Sequence, residues 1–387
     1  MTPKEGFPLK NRKALVWLFA LLAVFSLTAT ACSKSDSEGT STTKDTTASG
    51  DKSTTTAAPD TAALSKLTGT LNGGGSSFQD TFQQANSTAF DKEVKSAGGD
   101  ATVTYTKSGS SDGRKALADN TLDFAGSDGA IKDEEKASFG TRTILYFPIV
   151  GGPIAVAYNL EGVDELKLDA DTIAKIFQAQ ITSWDDPAIA KLNPKADLPS
   201  TAITVVHRSD GSGTTKNFTT FLKKAAPDVW KLDAGDTVSW PASTQGAEKS
   251  TGVTSVIKST DGAVGYADLA DAAKEDLSVA QVANGAGDFV APTPDTASKA
   301  LAGAEVNDDL TYDPINSDAA GAYPITAPTW VLVDKVQPNA DQEALVKAYL
   351  NYLLTAGQAS ATNLLYAPLP PDLAEKAIAQ LDDITVG

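Results

Sequence analysis

The chain has 387 residues, of which 41% are hydrophobic and 21% charged, and its formal net charge is −17. This length is sufficient for two lobes of ordinary domain size, and the composition is typical of a globular protein. The strong negative charge excludes nucleic acid as an electrostatic partner. An anionic ligand would therefore have to be held by local dipoles and hydrogen bonds, because the overall field repels it.

Residues 1–31 have the layout of a secretory signal peptide. Basic residues precede an apolar run at 14–27, and small residues follow up to Ala31. The only cysteine of the chain, Cys32, comes next, in a context that resembles a bacterial lipoprotein lipobox. This resemblance implies cleavage before Cys32, acylation of the new terminus and anchoring at the outer face of the cell membrane. The alternative is an ordinary cleavage site followed by an unpaired thiol.

Residues 32–66 are predicted to form a lipidated, flexible tether. Up to about Ala63 the segment has no large apolar side chain, so it cannot bury enough surface to offset the entropy of ordering. Because one cysteine allows no internal disulfide, the rest of the chain must be held together by its apolar core.

From Leu64 onward, extended apolar segments alternate with helical ones. Strands are predicted at residues 101–106, 144–150, 154–158 and 203–206. Three helical faces are marked by side chains at three- and four-residue spacing. They consist of Phe78, Phe82, Ala85 and Ala89, of Phe218, Phe221, Leu222 and Ala225, and of Leu345, Tyr349, Tyr352 and Leu353. The alternation predicts an α/β architecture with a mostly parallel sheet.

Two of the extended segments, at 146–150 and 322–326, carry a proline inside an apolar run. Proline cannot donate to a sheet ladder, so these segments are predicted to be crossings between two lobes rather than central strands. Lobe I is then built from residues 67–148 and 325–387, and lobe II from residues 149–324. The alternative is that both segments are edge strands.

Three glycine- and serine-rich segments, at 73–78, 108–113 and 208–215, each follow an extended stretch and precede a helical face. The first amides of a helix have no internal partner and carry partial positive charge, so each segment suits an oxyanion. Taken singly, each is better explained as a helix cap or a turn. Three of them in one chain favour an anion-binding site.

Two kinds of charged side chain accompany these segments. Arg208 has a guanidinium group that is always charged and that suits a tetrahedral oxyanion. Asp210 is close enough in sequence to orient this guanidinium group. Asp128 ends another short apolar segment, and its carboxylate would repel an anion that carries no proton. Hydrogen phosphate can donate an O–H to Asp128, whereas fully ionised sulfate cannot. The alternative for Asp128 is a helix cap or a surface turn.

Together these segments resemble the phosphate-binding subunit of bacterial high-affinity phosphate ABC transporters. Residues 73–78 are similar to the family's Gly-x-Gly-x-Thr-Phe loop, with Ser77 in place of the threonine, and residues 208–214 are similar to its Arg-x-Asp-Gly-Ser-Gly-Thr motif. Residues 105–113 and 123–128 match two further motifs of that family. The similarity continues in order from the start of the predicted lobes to the C-terminus.

The resemblance implies a two-lobed periplasmic-binding-protein fold of type II, with a hinge of two crossings. It implies a monomer that captures phosphate and delivers it to membrane-spanning permease subunits, with no catalysis, cofactor or metal. The implied phosphate-binding residues are Ser77, Phe78, Ser110, Asp128, Arg208, Ser212, Gly213 and Thr214. The chain departs from the family pattern at Gln79, where proline is common, and at Asp112, where glycine is common. The charge of Asp112 would weaken binding if it pointed into the site.

The main rival hypothesis is a serine hydrolase that uses Ser111 and His207. Residues 109–113 satisfy the G-x-S-x-G pattern, but the single histidine is adjacent to the fixed charge of Arg208, which disfavours the imidazolium that catalysis requires. A nucleotide-binding loop is excluded because residues 211–216 lack the Gly-Lys-Ser/Thr ending, and His and Cys are too few for a catalytic metal. Sulfate or molybdate is the alternative ligand within the class of binding proteins.

Overall fold

The computed structural model of the chain describes residues 61–387. The predicted signal peptide at 1–31, the predicted acylation site Cys32 and residues 33–60 of the predicted tether lie outside the described residues. None of the helices in the described part combines the length and the apolar character that a bilayer-spanning segment needs.

Strands and helices alternate along most of the described chain, as predicted. In chain order the strands are β1 (Thr68–Gly75), β2 (Asp100–Lys107), β3 (Phe124–Ser127), β4 (Ile144–Asn159), β5 (Lys167–Leu168), β6 (Thr204–Arg208), β7 (Gln245–Ala247), β8 (Ala263–Asp268), β9 (Ser278–Val279), β10 (Gln281–Ala283), β11 (Phe289–Val290), β12 (Thr326–Asp334), β13 (Val336–Gln337) and β14 (Thr385–Val386). The α-helices are α1 (Thr61–Leu64), α2 (Asp80–Ala97), α3 (Ser110–Ala118), α4 (Asp133–Lys136), α5 (Ala170–Phe177), α6 (Pro187–Leu192), α7 (Gly213–Ala225), α8 (Lys249–Ser259), α9 (Leu269–Lys274), α10 (Pro294–Ala302), α11 (Ala340–Leu354), α12 (Gln358–Ala361) and α13 (Pro371–Ala379). Short 3-10 helices span Ala137–Phe139, Thr362–Leu364 and Gln380–Asp383.

The largest sheet has the strand order β2-β1-β3-β12-β4-β8-β6-β7, and β9 also pairs with β4. Pairing is parallel at both ends, among β2, β1 and β3 and among β8, β6 and β7. In the middle, β12 pairs antiparallel with β3 and β4, and β4 pairs antiparallel with β8. The sheet is therefore mixed rather than mostly parallel, because the chain passes through its centre in opposite directions on β4 and β12.

The long strand β4 connects the two ends of this sheet. Residues 144–153 pair with β12, and residues 154–159 pair with β8. The strands predicted at 144–150 and 154–158 are thus a single strand that leaves one group of strands and enters the other. The neighbouring strand β12 begins at Thr326, directly after the second proline-containing segment.

Pro148 lies in the first part of β4, where, among the described strands, it pairs with β12 on one side only. Pro148 pairs with Trp330, and the register shifts between Thr329 and Trp330, so that Ile149 has no partner in the ladder. A bulge of this kind bends the strand and accommodates a residue that cannot donate a ladder hydrogen bond. The edge-strand alternative therefore agrees with the first part of β4, although the same strand continues into the other group of strands.

The predicted helical faces on α7 and α11 are largely buried, whereas the face of α2 differs from the prediction. Ala85 is exposed, and Gln83 and Asn86 are buried beside Phe82. Asn86 Nδ2 donates to the carbonyl of Phe82 at 2.9 Å. The apolar pattern missed these positions because buried polar side chains are tolerated where hydrogen bonds satisfy them.

Candidate functional site

The candidate site lies where the carboxyl ends of β1, β3 and β6 approach the beginnings of α3 and α7. All three glycine- and serine-rich segments contribute to it. Arg208 Nη1 donates to Ser77 Oγ at 3.0 Å, and a Cβ atom added at Gly213 would lie 2.5 Å from Ser110 Oγ. Only glycine permits so close an approach of the backbone. The structure thus brings the three segments and Asp128 into one buried cluster.

The first segment presents two serines with different partners. Ser76 Oγ accepts a hydrogen bond from the Phe78 amide at 3.0 Å and donates to Asp128. The Phe78 amide, which the resemblance assigns to the ligand, therefore has a protein partner here. Ser77 Oγ accepts from Arg208, and it lies 3.2 Å from the hydroxyl and 3.4 Å from the amide of Ser250. The Ser77 hydroxyl faces the guanidinium, where an oxyanion would bind.

Asp128 is 1% exposed, and its carboxylate accepts hydrogen bonds from three hydroxyl groups. Ser76 Oγ lies 2.6 and 2.7 Å from its two oxygens, Thr329 Oγ1 lies 2.6 Å from Oδ1, and Ser110 Oγ lies 3.3 Å from Oδ2. Burial raises the pKa of Asp128, and the hydrogen bonds and the charge of Arg208 offset only part of this effect. The site therefore contains a carboxylate that accepts hydrogen bonds among groups that mostly donate them.

Arg208 is 3% exposed, and its geometry is set from two sides. Its Nε donates to Asp210 Oδ1 at 2.7 Å, its Nη2 pairs with the other oxygen of Asp210, and its amide donates to the Tyr266 hydroxyl at 3.1 Å. Burial alone would raise the pKa of Asp210, but the hydrogen bond and charge of Arg208 lower it below the ordinary value. The ion pair leaves Nη1 directed toward Ser77.

The start of α7 provides donors without formal charge. Ser212 caps the helix by accepting from the Thr215 amide at 3.1 Å. The amides of Gly213 and Thr214 occupy the first two helical positions, where the helix itself has no acceptor for them. Thr214 Oγ1 is buried and has no hydrogen-bond partner among the described residues. A buried hydroxyl left in this state costs free energy, so these groups suit an incoming oxyanion.

Asp112, the charged departure from the family pattern, is exposed on α3 and is not part of the buried cluster. The neighbouring Gly113 instead packs against Gly75, where an added Cβ would lie 2.5 Å from the Gly75 Cα. The condition under which Asp112 was expected to weaken binding is therefore not met.

The structure does not support the serine hydrolase alternative. Ser111 Oγ donates to Asp236 at 2.9 Å. His207 stacks on Trp240, with ring centroids 4.9 Å apart, and its Nδ1 lies 3.0 Å from the carbonyl of Arg208. Burial lowers the pKa of His207. No hydrogen bond joins Ser111 to His207 in residues 61–387, so the nucleophile lacks the base that acyl transfer requires.

Sequence patterns singled out neither Ser76 nor Thr329 nor Ser250. Ser76 lies inside a segment that the pattern had already marked, so a second serine in that loop was an available indication. Thr329 lies 201 residues from Asp128, and Ser250 lies 173 residues from Ser77. No local signal connects residues so far apart, and only the folded chain identifies them.

The chain is similar to proteins whose names describe phosphate binding. A family model described as a PBP superfamily domain matches residues 37–356. The phosphate-binding protein PstS of Pasteurella multocida is 34% identical over 330 residues, which cover 83% of this chain and 92% of that protein. The phosphate-binding protein PstS3 of Mycobacterium bovis is 36% identical over 281 residues, which cover 70% of this chain and 76% of that protein.

A solved structure of a high-affinity periplasmic phosphate-binding protein, bound with phosphate, has a similar fold. The TM-score is 0.67 at 23% sequence identity, and the alignment covers 81% of this chain and 94% of that one. This likeness confirms the two-lobed periplasmic-binding-protein fold that the motifs predicted. From the family model and the curated relatives together, the chain belongs to the PstS family of phosphate-binding proteins within the PBP superfamily.

Proposed function

We propose that the protein captures inorganic phosphate between two lobes and delivers it to an ABC importer. The observation that carries the proposal is the buried Asp128 carboxylate beside Arg208 and the start of α7. Donors alone would suit any oxyanion, but a carboxylate acceptor among them suits one that still carries a proton. Phosphate carries such a proton near neutral pH and sulfate does not. The names of the curated relatives support the same ligand.

The proposed phosphate-binding groups are those that the resemblance implies. The Arg208 guanidinium, oriented by Asp210, would donate hydrogen bonds to the oxyanion. The Asp128 carboxylate would accept a hydrogen bond from the ligand O–H. The Phe78 amide would exchange Ser76 Oγ for a phosphate oxygen. The remaining donors would be the hydroxyl or amide groups of Ser77, Ser110, Ser212, Gly213 and Thr214. Hydrogen bonds to charged groups contribute roughly 1.5–3 kcal/mol each, so this set is sufficient for micromolar capture, about −8 kcal/mol net.

The proposed lobes are residues 67–148 with 325–387, and residues 149–324. Two passages of the chain, on β4 and at the start of β12, would form the hinge between them. Support comes from the sheet, in which β4 pairs with β12 over its first part and with β8 over its last. Phosphate would shift an equilibrium between open and closed arrangements by binding groups from both lobes.

We propose that the protein delivers phosphate outside the cytoplasm, as a monomer that is anchored to the membrane by lipid at Cys32. The signal-like segment at 1–31 and the lipobox-like context support export and anchoring. The partner would be the membrane-spanning permease subunits of a phosphate ABC transporter, as the family resemblance implies. Acylation at Cys32 is tested by the mass of the mature N-terminal peptide.

The ligand is tested by calorimetry of the protein with phosphate, arsenate and sulfate at two salt concentrations. We expect one site per chain for phosphate and for arsenate, which is also protonated, and no measurable heat with sulfate. Raising the salt concentration should leave the affinity unchanged or improve it, because the net charge of the chain repels an anion. Equal affinity for sulfate and phosphate would contradict the proposal.

A further inference from the structure

Two hydroxyl groups approach the Asp128 carboxylate closely, and the direction of each hydrogen bond decides what that carboxylate can do. Thr329 Oγ1 lies 2.6 Å from Asp128 Oδ1, and Ser76 Oγ lies 2.6 Å from the same oxygen. A hydroxyl has one proton, so it donates to the carboxylate only if its other neighbours do not claim that proton.

The direction at Thr329 is determined by a buried chain of amides. The backbone carbonyl of Trp330 can only accept, and it lies 3.1 Å from Gln79 Nε2. The same Nε2 group donates to Thr329 Oγ1 at 2.7 Å. Thr329 Oγ1 receives this hydrogen bond, and its own proton has two possible acceptors, Asp128 Oδ1 at 2.6 Å and the Ser127 carbonyl at 3.4 Å. The much shorter contact directs the proton to Asp128. Gln79 and Thr329 are both fully buried, so water does not compete for these bonds.

The orientation of Gln79 is fixed from its other end as well. Its Oε1 accepts from Gln83 Nε2 at 2.7 Å, and Gln83 Oε1 accepts from the Tyr349 hydroxyl at 2.6 Å. Every donor in this chain therefore points the same way, from Tyr349 toward Thr329. A flip of Gln79 would place its oxygen against the Trp330 carbonyl and its nitrogen against Gln83 Nε2, and a flip of Gln83 would place two amide oxygens together. The observed arrangement is therefore self-consistent.

We propose that Thr329, oriented by Gln79, is a positioning residue that keeps Asp128 a hydrogen-bond acceptor and thereby excludes fully ionised oxyanions from the site. This inference rests on the proposed phosphate-binding function and adds a specificity determinant to it. All members of the chain belong to one proposed lobe, so the arrangement does not depend on lobe closure.

The reason is that burial and hydrogen bonding act on the pKa of Asp128 in opposite directions. Burial raises its pKa, and the hydrogen bonds from Ser76 and Thr329 act against that rise. If the Thr329 hydroxyl is lost, the carboxyl group takes up a proton at a higher pH. A protonated carboxyl group donates a hydrogen bond. It would therefore disfavour the O–H group of phosphate and bind an oxygen of sulfate.

Other ionisable groups also face Asp128 from several elements. They are Arg208 at the end of β6, Lys216 on α7 and Tyr105 on β2, and Arg114 on α3 donates to the neighbouring Ser127. None of them contacts the Thr329 hydroxyl, so substitution of Thr329 leaves their charges in place. A change in the pH dependence of binding can therefore be assigned to the lost hydrogen bond.

The test compares Thr329→Val with Thr329→Ser and with the matched control Thr254→Val. Thr254 is also buried, on α8, but its hydroxyl donates to the carbonyl of Thr251 at 3.3 Å and does not contact Asp128. Phosphate and sulfate binding are measured by calorimetry from pH 5 to pH 8, and the Asp128 carboxyl is titrated by carbon NMR in the ligand-free protein.

For Thr329→Val we expect the acid limb of phosphate binding and the Asp128 titration to move upward by about one pH unit, the effect of one hydrogen bond to a charged group. Sulfate should bind this variant at the acid end of the measured range. Thr329→Ser and Thr254→Val should behave like the wild type. An unmoved Asp128 titration in Thr329→Val, with sulfate still excluded, would overturn the inference. Failure of the wild type to bind phosphate would instead contradict the proposed function, and the NMR titration would still decide the role of Thr329.

Discussion

At the scale of single residues, the site depends on one carboxylate placed among donors. Asp128 is buried, and three hydroxyls donate to it. Most side chains around it, including Arg208, can only donate hydrogen bonds to an anion. Asp128 is therefore the residue that, in the proposed function, distinguishes a protonated oxyanion from an ionised one.

Replacing Asp128 by asparagine should reverse this preference. The amide of Asp128→Asn can donate where the carboxylate accepted, so phosphate affinity should fall by about 10- to 100-fold, the value of one hydrogen bond to a charged group. Sulfate binding should appear. Calorimetry with both anions measures the change. Asp112→Asn is the matched control, because it removes the same charge from an exposed position. Retained rejection of sulfate by Asp128→Asn would contradict this role.

Another buried carboxylate should affect stability rather than binding. Asp268 caps α9 by accepting from the Asp271 amide at 2.9 Å, and its Oδ2 has no hydrogen-bond partner among the described residues. Burial, and then the neighbouring charge of Asp271, raise the pKa of Asp268 well above the ordinary value. The folded state thus binds a proton more tightly than the unfolded state, so the stability contributed by this group falls as the pH rises through the raised pKa.

Asp268→Asn should therefore unfold at a higher temperature than the wild type at pH 8. Asparagine caps a helix as well as aspartate does, and it carries no buried charge. We expect a gain of about 2 °C or more, the shift that ~1 kcal/mol produces in a large domain. The gain should shrink as the pH is lowered, because the wild-type carboxyl is then protonated. Scanning calorimetry at several pH values measures this. Asp169→Asn, which alters the half-buried cap of α5, is the control. A pH-independent difference would count against the explanation.

At the scale of elements, the start of α7 explains why glycine follows the cap. Ser212 satisfies the Thr215 amide, and the preceding positions of the helix remain available to a ligand. Gly213 lies against Asp128, where an added Cβ would be 2.8 Å from Asp128 Cβ. The helix dipole and the first amides therefore reach the site only because this position has no side chain.

Gly213→Ala should consequently weaken phosphate binding, although alanine is the better helix former. The methyl group would displace α7 from Ser110 and Asp128, and loss of one or two amide hydrogen bonds should lower the affinity by roughly tenfold or more. Gly252→Ala is the matched control, because in α8 the nearest atom to the new Cβ lies at an ordinary 3.5 Å. That variant should bind normally and be slightly more stable. Unchanged affinity in Gly213→Ala would show that α7 does not touch the ligand.

At the scale of the whole molecule, buried contacts tie the two proposed lobes together beside the site. Asp236 is 2% exposed, pairs with Arg114 and Lys132, and accepts a hydrogen bond from Ser111. Burial would raise the pKa of Asp236, but the charges and hydrogen bonds of Arg114 and Lys132 hold it below the ordinary value. Breaking a buried pair is costly, so this contact favours the closed arrangement.

Asp236→Asn should release phosphate faster than the wild type. The substitution removes an ionic contact between the proposed lobes without altering any proposed ligand group, so the dissociation rate should rise by about tenfold with little change in the association rate. Stopped-flow fluorescence of the protein's tryptophans measures both rates. Asp313→Asn is the control, because its pair with Lys224 is exposed and lies within one proposed lobe. An unchanged dissociation rate would rule out a role for Asp236 in holding the lobes closed.

The sequence by itself determined the features that depend on local order along the chain. Short segments of the sequence contain the alternation of strands and helices, the glycine- and serine-rich helix starts and the Arg208–Asp210 pair. The motifs in these segments indicated the family and the two-lobed fold. These features can be predicted from the sequence because helix caps, turns and motif spacing involve residues that are neighbours in the chain.

Only the tertiary structure decided which distant residues complete the site and how the sheet is built. Thr329, Ser250 and Asp236 reach their partners across 201, 173 and 122 to 125 residues, distances over which no sequence pattern persists. The mixed sheet and the bulge at Pro148 arise from pairing between strands that are far apart in the chain. The physical reason is that packing and hydrogen-bond direction depend on what surrounds a residue in space, and folding alone assembles those surroundings.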